Sequence, residues 1–571
     1  MYSSIKNVQI LIAMLKRYGY KDVVISPGGN NIPIIHSMDS DPFFTCYSVV
    51  DERSAGYFAM GLSQQLERPV VMVCTSGTAV SNYLPSVTEA YYQRVPLIVI
   101  TSDRSPYLLD QLETQKIDQT NIFYPVIKKE VTLPIVKDDN DAWYCNRLIN
   151  EALIELIRHG FGPVHINIPT TGNPADYSCN VLPGVNKIEY ISEHDLNRRL
   201  ENLSEKLNGK RVLLVFGENY LLSPELEKQI DIFVSKTGVA VVKDYISNIN
   251  ISNSFLSYRI TESYGETDFP ALLPDIVITF NNNILSNNLK NFIRNNRERV
   301  SHWSVDKAGA IRDVFQCLDT LIECDNFTFF ENINKYSDSI KTDKLYTDLW
   351  RTASRKTHFE NIEYSDLAAV GQFVDKVQNN AVVHTAILNS TRAFHLYNTD
   401  KMLKVYSNIG ALGIDGCMST FIGHSFATDL PCYLIIGDLS FFYDMNSLGI
   451  KGIKSNVRIL LLNNGGGAEF HYNMGLKYVP TLNEYISVKH SKVARAWAES
   501  MNFRYIKCEN SEELNQGMKE FVSPAKEPML FEVFTDMEKD ANIVKNVLGS
   551  IKANRSGKAM LKQTVKKMIG R

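Results

Sequence analysis

Cysteine is sparse in this 571-residue chain: nine residues stand singly, with no CxxC pair and no metal-ligand rhythm. That excludes a disulfide framework and a zinc site and fits a reducing cytoplasm. Strong charge of one sign is also lacking, because a formal net charge of -3 leaves no electrostatic footprint for nucleic acid. No apolar run approaches the roughly 20 residues that cross a bilayer, so no transmembrane segment is expected. In the opening MYSSIKNVQILIAMLKRYGY, Ile5, Ile10, Leu11, Met14 and Leu15 fall at helical spacing and no small-residue cleavage site follows. This reads as an amphipathic helix and not as an export signal.

What is present is ordinary globular usage, 44% apolar and 22% charged, in a chain too long for one core. Three segments alternate short β-branched runs, each ending in turn formers, with helical periodicity. VVISPGG, VVMVCTSG, LIVITSD and VHINIP mark the first, RVLLVFG, VAVVKD and DIVITFNN the second, and AVVHTA, CYLIIGD, VRILLLNN and MLFEVFTD the third. The texture predicts α/β architecture with parallel sheets, whose ligands sit beyond the carboxyl ends of strands.

The strongest chemical signal lies there, in GDLSFFYDMNSLGIKGIKSNVRILLLNNGGG. Asp438 ends one apolar strand and Asn464 ends the next, 464 - 438 = 26 residues on, the length of one strand-helix-strand unit. Such a unit sets two strand ends side by side, so a carboxylate and an amide oxygen can face one hard cation while the glycine turn adds backbone groups. Magnesium takes oxygen ligands and lets a diphosphate complete its octahedron, so a diphosphate cofactor is implied. Taken alone, Asp438 reads equally as a helix cap. Glu52, in FFTCYSVVDERSAGYFAMGLSQ, is by itself a first-turn helix carboxylate.

GD followed by NN at this spacing resembles the signature of thiamine-diphosphate enzymes. DERSAGYFAMGLS, TSGTAVSNYLPSVTEA, SNIGALGIDGCMST and GDLSFFYDMNSL resemble, within that family, the menaquinone-pathway SEPHCHC synthases, which join a decarboxylated 2-oxoglutarate to isochorismate. The similarity runs through both cofactor domains and thins in the middle block. It implies three doubly wound parallel-sheet domains: pyrimidine-binding at 1–182, central at 190–350 and diphosphate-binding at 360–545, before a basic tail at 546–571. It implies that Asp438, Asn464 and the Gly466 carbonyl hold Mg2+ and that Gly437, Leu439 and Ser440 approach the diphosphate. Ile414 would bend thiamine diphosphate into its reactive shape, and Glu52 would hydrogen-bond the aminopyrimidine. A homodimer or homotetramer follows, with Glu52 from one chain and Asp438 from another.

The substrate pocket departs from that pattern. The family's substrate arginines fall on Asn30 in SPGGNN, Ile409 in SNIGALG and Phe394 in NSTRAFH, and its paired basic residues on Asn287 and Asn288. Losing one partner of a buried carboxylate pair costs about 3 to 5 kcal/mol, so the expected donor is a small, pyruvate-like 2-oxo acid and not 2-oxoglutarate. Arg392 lies two residues from Phe394, a helical spacing that turns it to another face. Ser390, Arg104 and Gln115 match family positions, Gln115 among the catalytic residues. Glu469, in NNGGGAEFHY, stands where the synthases carry an aliphatic residue over the reactive carbon. It is either a surface carboxylate or an acid-base group, with His471 and His424 as further candidates and Phe470 as pocket wall.

The expected activity is decarboxylation of a small 2-oxo acid with transfer of the acyl anion to an acceptor. An authentic SEPHCHC synthase, a simple 2-oxo acid decarboxylase and a catalytically silent binding protein of the same fold are the alternatives. VFGENY in the middle block lacks GxGxxG, so no second nucleotide is expected. Lys545, Lys552, Arg555, Lys558, Lys562, Lys566, Lys567 and Arg571 read as a solvated terminal helix or a surface contact.

Overall fold

Runs of β-branched and aliphatic residues bounded by turn formers become strands covered on both faces. VVMVC forms Val70–Cys74 and VRILLLN forms Val457–Asn463, with every residue of each buried. The computed structural model describes residues 1–219, 223–263, 270–359, 362–472 and 479–555. The basic residues Lys558, Lys562, Lys566, Lys567 and Arg571 lie outside them.

Three parallel sheets carry the fold. The first runs, in spatial order, Thr45–Ser48, Asp22–Ile25, Val70–Cys74, Leu97–Asp103, Val164–Pro169, Lys129–Thr132. The second includes Ser254–Leu256, Ala240–Lys243, Val212–Phe216, Ile276–Phe280 and Ser301–Val305. The third runs Lys404–Tyr406, Val382–Thr385, Cys432–Gly437, Val457–Asn463, Met529–Phe534, Arg504–Cys508. The first and third share one winding order, so each presents its loops at the carboxyl edge in the same way. The amphipathic opening forms the helix Lys6–Tyr18, which buries Val8, Leu11, Ile12 and Leu15 and ends on Gly19 at φ 86.

The three sheets, one per expected α/β domain, pack into two compact units. The first takes Met1–Tyr190 with Ile311–Leu321, and the second takes Ile191–Ala310 with the described residues from Ile322 onward. Residues 311–321, counted from the sequence with the central block, belong to the first unit because Leu318 and Leu321 share an apolar cluster with Ile154 and Ile188. Trp143 Nε1 also donates to Asp313 Oδ2 at 2.7 Å. Within the second unit the two sheets are stitched together. Asn248 makes two 2.7 Å bonds to the backbone of Val405, and Tyr245 stacks edge-on against Phe394 with ring centres 5.2 Å apart.

His384, on the strand Val382–Thr385, is 3% exposed and shares a 3.1 Å contact from Nε2 to His424 Nδ1. Burial, reinforced by His424, pushes its pKa down to about 3. The unfolded imidazole titrates near about 6.5, so the fold holds the neutral form. This contribution to stability is complete above that pH and is lost as pH falls toward 3, at about 1.4 kcal/mol per pH unit. Urea melts across the range should show the loss, and His384→Gln should flatten the slope by one proton; an unchanged slope in the variant would contradict the assignment.

Candidate active site

In the first unit, side chains gather at the carboxyl ends of its strands. Asp51 caps the helix Glu52–Leu66, accepting from Ser54 N at 3.0 Å, and so sets Glu52 as the first helical residue, half-buried. Burial raises the pKa of the Cys74 thiol and the charge of Glu52 raises it further, which marks Glu52 as a neighbour of that strand end. Asn30 is tied down there: Nδ2 donates to Ser76 Oγ at 2.6 Å, and its carbonyl accepts from Thr170 Oγ1 at 2.8 Å. Arg104 is engaged by Glu113 at 3.3 Å and by the Thr114 carbonyl. Gln115 is exposed and holds φ 56, a left-handed conformation at the same edge. Sequence reasoning missed the buried polar layer beneath, where Lys116 pairs with Asp103 at 2.8 Å and Gln119 Oε1 accepts from Gly77 N at 3.1 Å.

In the second unit, Gly437 and Leu462 are register partners, so Asp438 and Asn464 emerge side by side. Asp438 is 2% exposed. Its Oδ2 accepts from Gly465 N at 2.7 Å and Gly466 N at 3.1 Å, and its Oδ1 from Leu439 N at 2.6 Å. Ser440 Oγ donates to the Ile414 carbonyl at 2.6 Å, fixing the GIDG loop against the start of this helix. Gly466 has φ 154, and a Cβ there would stand 2.7 Å from the Ser487 carbonyl. His490 N donates to the Gly465 carbonyl at 2.9 Å, while Nε2 stands 3.5 Å from Asp438 Oδ2.

Asn464 is oriented from behind. Its Nδ2 donates to Asp366 Oδ2 at 2.7 Å, which turns the amide oxygen the other way. Thr535 Oγ1 lies 2.8 Å from Asp366 Oδ1 and 2.6 Å from Asp540 Oδ2. One hydroxyl proton cannot serve both, so one carboxyl supplies the other. Burial, with Asp540 beside it, raises the pKa of Asp366 well above the carboxylate range, and burial pushes Asp540 to about 6. Asp366 opens the helix Asp366–Lys376 just after its Ser365 cap, a common place for an acid, and the sequence reading did not single it out.

Beside this cradle lies a cavity of about 490 Å³ lined by Ile409, Asn287, Asn288, Lys290, Arg392 and Glu469 among others. Leu388 and Leu412, also in its wall, hold φ 60 and 59, a conformation that costs a non-glycine residue about 1 to 3 kcal/mol and concentrates at functional sites. Arg392 Nη1 donates to Glu469 Oε2, so Glu469 is a wall residue with a partner and not a free surface carboxylate. Phe394 is corrected: it is fully buried against Tyr245 and His395 and does not line the cavity, whereas Arg392 on the adjacent helix face does. Ser390 is buried in the same helix, and Phe470 packs 3.0 Å from where a Cβ on Gly467 would sit. His424 pairs with His384 and Tyr406, away from Glu469 in its contacts.

Residues 5–122 match the family model described as "Thiamine pyrophosphate enzyme, N-terminal TPP binding domain". Over 565 residues, 97% of this chain and all of the relative, it is 37% identical to the 2-succinyl-5-enolpyruvyl-6-hydroxy-3-cyclohexene-1-carboxylate synthase of Bacteroides fragilis. The chain belongs to this synthase family. The Phocaeicola vulgatus synthase is 38% identical over 97% of this chain and 99% of its own length, and that of Flavobacterium psychrophilum 33% identical over 94% and 96%. The protein is therefore a thiamine-diphosphate-dependent enzyme that decarboxylates a 2-oxo acid and transfers the acyl unit.

The second-unit cradle fits the diphosphate end of that cofactor. Its donor set is one carboxylate, one amide oxygen and one backbone carbonyl, all hard oxygens of the kind that hold Mg2+ beside a diphosphate. Among the described residues no group of three or more His, Cys, Asp or Glu could hold a metal instead. Gly466→Ala should break the cradle by forcing Ser487 away and withdrawing an amide from Asp438. A bond to a charged group contributes about 1.5 to 3 kcal/mol, so calorimetry should find thiamine diphosphate binding weakened about tenfold or more; unaltered affinity would refute this role.

Proposed function

We propose that this synthase-family enzyme takes a small monocarboxylic 2-oxo acid as donor, holds Mg2+ on Asp438, Asn464 and the Gly466 carbonyl, and works as a homodimer or homotetramer. The observation that carries the donor assignment is the cavity wall. Ile409, Asn287 and Asn288 are uncharged, and the guanidinium of Arg392 is already paired with Glu469. A distal donor carboxylate would meet no free guanidinium there and would face the negative charge of Glu469.

Bound thiamine diphosphate supplies the nucleophilic carbon and the electron sink that decarboxylation needs. Glu52 accepts and returns the proton at the aminopyrimidine end. Asp438, Asn464 and the Gly466 carbonyl would hold Mg2+ and with it the diphosphate end, and Ile414 would pack against the cofactor. Leu388, Ile409 and Leu412 keep water from the reacting carbon. Lys290, with no ion pair among the described residues, is left for the carboxylate of an acceptor. Burial, then Arg294, lowers its pKa, so its charge is sensitive to occupancy.

A second reading is favoured by the relatives' printed name, whose 2-succinyl group requires a five-carbon dicarboxylic 2-oxo acid as donor. Incubation with Mg2+, the cofactor and a panel including pyruvate and 2-oxoglutarate, with and without isochorismate, decides between them. Carbon dioxide release should be fastest with the small donors, and a preference for 2-oxoglutarate would replace the first reading by the second. Glu52→Gln should cut release at least about a hundredfold with every donor.

For subunit sharing, Glu52→Gln and Asp438→Asn proteins, each inactive, are unfolded and refolded together. Random pairing of a two-fold dimer should restore about a quarter of the wild-type sites. No recovery, with light scattering showing a monomer, would end the shared-site proposal.

A further inference from the structure

Arg392 and Glu469 come from separate helices, Asn389–Leu396 and Glu469–Tyr472, and meet in the wall of the 490 Å³ cavity. Their side chains are only 23% and 11% exposed, and Arg392 Nη1 donates to Glu469 Oε2. Asn389, with its amide nitrogen turned inward, donates to the same oxygen at 2.8 Å and accepts from Glu469 N at 3.2 Å. That amide nitrogen also lies 2.7 Å from Tyr472 Oη. The carboxylate is thus a built part of the wall, held by a guanidinium and an amide, and not a mobile surface acid.

A guanidinium is the side chain suited to recognising a carboxylate through planar, charge-assisted bonds. Here that face is used internally. We infer that Glu469 is the specificity-determining residue for the donor, its carboxylate filling on Arg392 the place that a second donor carboxylate would otherwise take. A dicarboxylic 2-oxo acid then finds the Arg392 guanidinium occupied and a like charge beside it, whereas a donor with an apolar end meets Ile409 and Leu412 without penalty. This rests on the reading of the site as one that accepts 2-oxo acid donors.

The test compares kcat/KM for pyruvate and for 2-oxoglutarate in the holoenzyme and in Glu469→Leu and Glu469→Gln. Opening Arg392 should raise the ratio of dicarboxylic to monocarboxylic efficiency by about tenfold or more, about 1.4 kcal/mol, in Glu469→Leu. Glu469→Gln, which keeps the side-chain shape and removes the charge, should shift the ratio the same way by less, and it serves if the leucine variant does not fold. Adding Arg392→Leu to either variant should abolish the gain, as coupling between the two requires. An unchanged ratio in both single variants, or a gain that survives loss of Arg392, overturns the inference. So does a fall in kcat with both donors at constant ratio together with loss of one limb of the pH profile, which would make Glu469 a proton-transfer group. Carbon dioxide release from no 2-oxo acid by the wild type is a separate result, obtained before any variant, and it removes the underlying reading of the site along with this one.

Discussion

Removing a carboxylate from water costs several kcal/mol unless its oxygens are matched by donors, and this requirement organises the carboxyl edge of the third sheet. Asp438 is buried at a strand terminus with the amides of Leu439, Gly465 and Gly466 converging on it. The glycine turn must therefore follow the neighbouring strand without a side chain in the way, the Ser487–His490 stretch must close over it, and the two strands must be in register.

Behind this lies a second constraint. Asn464 presents its amide oxygen forward only because Asp366 takes the nitrogen, and Asp366 stands against Asp540 through a hydroxyl shared with Thr535. Two buried carboxyls so close retain a proton between them, so the cradle is backed by an acid pair whose net charge is lower than its composition implies. The Arg392–Glu469 pair solves a similar problem differently, neutralising two charges against each other in the cavity wall. In both places charge is cancelled within the protein before any substrate arrives, which sets what charge a substrate may bring.

Much of this was legible in residue order. Parallel sheets follow from β-branched runs that end in turn formers, because a strand covered on both faces needs an unbroken apolar run. The pairing of Asp438 with Asn464 follows from a spacing of one strand-helix-strand unit, whereas Glu52 stood out only through the family resemblance, since its position alone marks a first-turn helix carboxylate. The misplacement of Phe394 has an equally plain origin. Positions along the helix Asn389–Leu396 were matched one by one to a family pattern, while the helix itself turns Arg392 to the cavity and Phe394 to the core. Residues 311–321 were counted with the central block because nothing in their composition reveals that Leu318 and Leu321 pack against Ile154 and Ile188.

The sequence by itself determined the fold class and a diphosphate-binding strand pair, because both depend on short-range pattern: apolar period, turn chemistry and the separation of two strand ends; thiamine as the rest of the cofactor came from the resemblance to a family. Only the tertiary structure decided which charges are spent and which remain. Asp366 with Asp540, Arg392 with Glu469 and Lys116 with Asp103 are pairs between residues far apart or unremarkable in sequence. Whether an ionisable side chain is a partner, a ligand or a wall depends on what folding brings within about 3 Å of it, and no local pattern carries that distance.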